Sequence, residues 1–194
     1  MTTATRQQLI EHGIELLLQR GYNDLGIAML LQSTNTAKGS FYHHFRSKED
    51  YALQVVDCYM QDVHAGLDAC LGDSSRPPLE RIRAFFEASE EKYRTQGYMG
   101  CLLGGLGQEL SGINEAFRHK VEECLEQIAA RLAACLDEAR ERGDLVPEAN
   151  PKKLAELLVN CWEGAALRSR LRRDPDPLHE MLDFYFSAAT VRQA

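Results

Sequence analysis

The sequence predicts an all-α protein: apolar residues recur at the i, i+3, i+4, i+7 spacing of one helix face, and nowhere is the two-residue alternation of a half-buried strand sustained. Glycine, proline and short polar residues punctuate these stripes where helices should start and stop. About nine helices are expected, in two parts at residues 1–48 and 49–194.

Helix one spans about 5–20, with Leu9, Ile10, Gly13, Leu16 and Leu17 as its buried stripe and Gly21 as a left-handed stop. Tyr22 is expected to pack back toward that helix. A short helix at about 27–34 buries Ile27, Leu30 and Leu31, and after Asn35 a third runs from about Ala37 to His44. Two short helices joined by a tight turn make a helix-turn-helix candidate.

Ser47 to Asp50 read as a capping box, the Ser hydroxyl and Asp carboxylate serving backbone donors reciprocally, and open a long helix to about Leu71. Gly72 to Pro78 form a polar loop whose prolines start the next helix, about 79–95. Gly100-Cys101-Leu102-Leu103-Gly104-Gly105-Leu106-Gly107 is glycine-rich for a helical context, and an amphipathic helix follows at about 114–142, ended by Gly143. Asn150-Pro151 caps a helix to about Leu171, and Asp176-Pro177 caps a last one to about Thr190, the two forming an antiparallel hairpin.

A chain of 194 residues, 44% hydrophobic, can bury one core plus a small satellite domain. It has no eighteen-residue apolar run, and Met1 to Arg6 lack the basic-then-apolar order of a secretory leader, so a soluble cytoplasmic protein without a membrane partner is expected. The six cysteines are scattered singly through helical patterns and read as reduced thiols; with no C-x-x-C pair, neither metal nor cofactor is expected. The net charge of -7 argues against nucleic-acid binding, yet residues 1–50 hold five basic and five acidic side chains, so all the excess negative charge lies beyond them.

No enzyme is expected. Gly105-Leu106-Gly107 follows no strand, His179-Glu180 lacks the second His of a zinc-protease helix, and no Ser-His-Asp or Cys-His set is legible. A thiol enzyme using Cys101, or a helical adaptor binding protein through its acidic surface, are the alternatives from other classes.

The stretch Lys38-Gly39-Ser40-Phe41-Tyr42-His43-His44-Phe45-Arg46-Ser47-Lys48-Glu49, with Gly21-Tyr22 and Ile27-Ala28 before it and Leu53 after it, resembles the signature of the TetR family of repressors. The resemblance implies a homodimer, paired through the last two long helices, that binds a palindromic double-stranded DNA operator and is released by a small-molecule inducer. Independently, backbone amides near Thr36, Ala37 and Lys38 open the third helix toward a phosphate, and Gly39 lets the backbone come close. Ser40, Tyr42 and His43 present polar groups on the exposed face, Phe41 and Phe45 face the core, and Lys48 is placed for a flanking phosphate. The family usually has Thr and Ser where this chain has Leu25 and Gly26, and Ser in place of Ala37, so side-chain caps are not expected at those helix starts.

Gly100-Cys101-Leu102-Leu103 and Trp162 to Leu167 resemble a subgroup that senses electrophiles or oxidants through a single cysteine after a glycine; a lysine held to tune that cysteine is matched here by Arg170. A thiol senses only when its thiolate is populated and reachable, and the start of a helix is one way to meet that need. A non-covalent site lined by Tyr59, Phe86, Tyr93, Tyr98, Met99 and Trp162 is the other reading. The remaining cysteines read as packing residues.

Overall fold

The computed structural model describes residues 2–189, with side chains from Arg6 onward, so the last residue of the expected terminal helix, Thr190, lies outside the described residues. Within them are nine helices and no β-strand: α1 (Thr2–Asp24), α2 (Ile27–Ser33), α3 (Lys38–His44), α4 (Lys48–Leu71), α5 (Pro78–Thr95), α6 (Leu102–Leu110), α7 (Glu115–Glu141), α8 (Pro151–Arg172) and α9 (Asp176–Ala189). They sort into two compact units, residues 1–62 with 101–122, and residues 63–100 with 123–194; α4 and α7 each contribute to both.

In the first unit α1 carries Leu9, Ile10, Leu17 and Leu18 into the core, while Leu16 stays half-exposed. Gly13 is small because α4 lies against it: a Cβ there would stand 2.1 Å from the Tyr51 hydroxyl, which donates to the Leu9 carbonyl at 2.6 Å. Burial pushes the Tyr51 phenol well above its ordinary range. Tyr51→Phe leaves that carbonyl without its buried donor and is expected to cost about 1–2 kcal/mol, read as a lower urea midpoint.

α1 breaks at Gly21 as expected, at φ +75° and ψ 179°, and a short helical stub continues to Asp24. The Tyr22 and Asn23 amides after the break donate to the two Glu109 oxygens at 2.7 and 2.6 Å, bringing α6 against α1. Tyr22, expected to pack toward α1, stands edge-on to Phe117 of α7 at 5.1 Å.

The capping box forms as read, with one change of partner. The Asp50 amide donates to Ser47 Oγ at 3.0 Å, but the Asp50 carboxylate accepts from Arg46 rather than Ser47, at 2.8 Å, and that bond holds its pKa below the usual carboxylate range. α7 starts on Asn114, whose side chain accepts from Phe117 at 3.1 Å and donates to Glu49 at 2.5 Å.

The second unit is built on α5 and the α8–α9 pair. Arg81 is buried, donating to the Leu71 carbonyl at 2.8 Å and pairing with Glu138. Arg83 joins α5 to α9 through Asp183 at 2.9 Å while its guanidinium lies 4.8 Å from the Phe186 ring centroid. Asn150 caps α8 through the Lys153 amide at 3.1 Å. The start of α9 is capped by Asp174, which accepts from the Asp176 amide at 2.8 Å, rather than by Asp176 itself. No helix among the described residues is long and apolar enough to cross a membrane.

Candidate functional site

α2 and α3 are joined by a turn that the sequence encodes at Asn35, which adopts φ +48°, a conformation its short polar side chain tolerates. The Thr36 amide returns to the Leu31 carbonyl at 2.9 Å, fixing where α3 begins. Gly26 and Ala37 cap α2 and α3 without a side-chain bond, as their departures from the family pattern implied.

α3 is anchored by its aromatic residues. Phe41 is 0% and Phe45 1% exposed, their ring centroids 5.1 Å apart, and Tyr51 closes the cluster at 5.4 and 4.9 Å. With that face committed inward, Lys38, Gly39, Tyr42 and His43 are exposed, Ala37 also, and Thr36 and Ser40 are half-buried. Tyr42 leaves 49% of its surface open while its ring meets Phe41 edge-on at 5.2 Å, so it is presented but held. Lys48 sits apart from them: its ammonium lies 4.4 Å from the Tyr22 ring centroid, and burial lowers its pKa against the opposing pull of Glu109 and Asp24.

Between Asp24 and Glu49 there is no acidic residue, while Lys38, Arg46 and Lys48 are basic. A patch of this kind on an otherwise acidic chain attracts polyanions locally.

The sensing candidates fall into two groups. In the first unit Cys101, at the N-cap of α6, has its Sγ 3.8 Å from the hydroxyl of buried Tyr59. In the second, Trp162 lies between Phe86 and Tyr93 with ring centroids 4.7 and 5.9 Å away, and its indole N–H donates to the Tyr93 hydroxyl at 3.3 Å. Tyr98 and Met99 are half-exposed. Glu90, which sequence reading passed over, is buried one turn from both Phe86 and Tyr93 on α5, and its Oε1 has no hydrogen-bond partner. Only its place in the i, i+4, i+7 series with those aromatics marked it in the sequence.

None of the six cysteines forms a disulfide. Burial raises the pKa of Cys58, Cys70 and Cys135, the last to about 11. N-ethylmaleimide at neutral pH is therefore expected to label Cys101 before Cys135, as peptide mass spectrometry of a time course would read. Arg170 lies on α8 beside Gly100, where an added Cβ would stand 3.8 Å from its Cδ.

On the last two helices, Leu158, Ala165, Leu182, Tyr185 and Phe186 are spent inside the chain. Leu157 at 51%, Leu171 at 67% and Phe184 at 75% remain exposed. Beside them an apolar groove of about 220 Å3 is lined by Leu154, Leu157, Cys161, Met181 and Phe184 among others.

A sequence profile described as "Bacterial regulatory proteins, tetR family" matches residues 3–55, and one described as "Tetracyclin repressor-like, C-terminal domain" matches residues 78–185. The chain belongs to the TetR family. Among its relatives, the transcriptional regulator AcuR of Cereibacter sphaeroides is 39% identical over 174 residues, covering 89% of this chain and 80% of AcuR. The HTH-type transcriptional repressor NemR of Escherichia coli is 30% identical over 179 residues, 92% of this chain and 90% of NemR. The crystal structure of a regulatory protein TetR from Rhodobacter sphaeroides superposes with a TM-score of 0.93 at 36% identity, over 97% of this chain and all of that one. This chain is thus a DNA-binding transcriptional repressor of the TetR family.

Proposed function

We propose that two copies of this chain bind a palindromic operator in the cytoplasm and leave it when the C-terminal part meets a small-molecule inducer. Residues 1–48 read DNA, and residues 49–194 sense and dimerise. Thr36, Ala37, Lys38, Gly39, Ser40, Tyr42, His43 and Lys48 make the contacts: backbone amides and Lys48 to phosphate, the side chains of the exposed α3 face to sugar, phosphate and base edges. The observation that carries this reading is Tyr42, open to solvent on a helix whose other face is locked by fully buried Phe41 in an acid-free segment. Selection from random duplexes at stated salt tests it: a palindrome is expected, and Tyr42→Ala should weaken binding by about 1–3 kcal/mol. A selection returning no inverted repeat would reject the operator.

The exposed Leu157, Leu171 and Phe184 support pairing of α8 and α9 with the same helices of a second copy. For the inducer, Cys101 at the first turn of α6 favours an electrophile or oxidant, since the helix dipole attracts negative charge there. Modification would displace α6, whose glycines at 104, 105 and 107 weaken it against sliding. N-ethylmaleimide should then lower operator affinity of the wild type and leave Cys101→Ser on DNA; equal release of both proteins would reject the thiol.

A second reading has its own support in the Phe86, Tyr93 and Trp162 cluster with the unbonded oxygen of Glu90 nearby. A non-reactive aromatic inducer would bind there without touching Cys101. Trp162 is the one tryptophan of the chain, so quenching of its fluorescence by such compounds in Cys101→Ser separates the two.

A further inference from the structure

We propose that Glu109 is a positioning residue for DNA reading: its carboxylate clamps the break in α1 and so sets the angle at which α2 and α3 leave the rest of their unit. Glu109 sits near the end of α6, far along the chain from α1, yet each of its oxygens takes one backbone amide, Oε2 from Tyr22 at 2.7 Å and Oε1 from Asn23 at 2.6 Å. Both distances are those of charge-assisted bonds, which are roughly twice as strong as neutral ones.

The break itself is shaped for this carboxylate. Gly21 adopts φ +75° and ψ 179°, which turns the next two amides away from the preceding helical turn. Its missing side chain leaves room as well, since a Cβ there would stand 2.5 Å from Glu109 Oε2. Backbone conformation, missing side chain and charge therefore serve one contact.

Its position gives it leverage. Only Leu25 and Gly26 separate the α1 stub from α2, and α2 starts without a side-chain cap; buried Leu25 returns its amide to the Tyr22 carbonyl at 3.3 Å, so the exit direction is tied to the residues Glu109 clamps. On the other side Glu109 belongs to α6, whose buried face is Leu102, Leu103, Leu106 and Leu110. A two-pronged acceptor resists rotation about either bond, which a single hydrogen bond would not.

The inference rests on the operator reading above and is independent of the inducer's identity. Two recognition helices must meet major grooves about 34–36 Å apart, so a loosened exit angle should appear as tolerance of altered half-site spacing. The full-length protein, Glu109→Gln and Glu109→Asp are each put through selection on duplexes with randomised half-site spacing, together with amide hydrogen exchange. Gln offers one acceptor where two are used, and Asp keeps the charge but falls one methylene short.

Expected for Glu109→Gln are faster exchange at Tyr22 and Asn23, operator binding at least about tenfold weaker, and a spread of selected spacings where the wild type takes one. Glu109→Asp should show the same spread, and it carries the test should the Gln variant not fold. A wild type that selects no palindrome fails the operator reading and this inference together. Faster exchange with the wild-type spacing and affinity retained overturns the inference alone, because the clamp would then only stabilise; unchanged exchange overturns it at its first step.

Discussion

Phe41→Ala is expected to remove operator binding altogether and to lower the stability of the first unit by about 3–5 kcal/mol, the range found when a buried aromatic is cut back to alanine. The size follows from its surroundings. Phe41 is fully buried and touches the rings of Phe45 and Tyr51, so its removal leaves a void that the remaining rings cannot fill. α3 has seven residues and cannot stand as an isolated helix. Its inward face is held by this cluster. Urea unfolding should show an early transition for the first unit, with the α8–α9 pair melting as in the wild type; one unchanged transition would mean that the aromatic cluster does not hold α3.

The second large effect concerns the α8–α9 face. Leu157→Glu together with Phe184→Glu is expected to convert the dimer to a monomer and to weaken operator binding by about a thousandfold or more, since each half-site must then be bound alone. Both side chains are already open to solvent in the single chain, so the change should leave the fold intact. At a dimer contact, each new carboxylate would be buried without a partner at a cost of several kcal/mol. Analytical ultracentrifugation reads the outcome. A double variant that still sediments as a dimer would place the contact elsewhere.

The helix order was legible because its signals are local. Ser47, Asn150 and Gly143 cap or end helices close to where their chemistry puts them, and the helical spacing of apolar residues needs no partner to be read. The aromatic face of α3 was legible for the same reason, Phe41 and Phe45 being one turn apart. What the sequence concealed depends on contacts between distant segments. Glu109 looks like any acidic residue on a short helix until the Tyr22 and Asn23 amides are beside it.

The same holds for the last two helices. Their spans and their pairing role were readable or implied by resemblance, but periodicity cannot say which residues fill the chain's own core. Leu182 and Phe186 do, and Phe184, two positions from each, does not. Asp174 in place of Asp176 as the α9 cap is a two-residue shift of the kind helix ends show.

The acid-free stretch between Asp24 and Glu49 also bears on how the repressor travels in search of its operator. With a net charge of -7, most approaches to DNA are repelled, and three cations cannot hold the chain on arbitrary sequence for long. Encounters should accordingly be brief and productive in one orientation, scanning should proceed by many short collisions rather than extended sliding, and only a site offering base contacts should retain it.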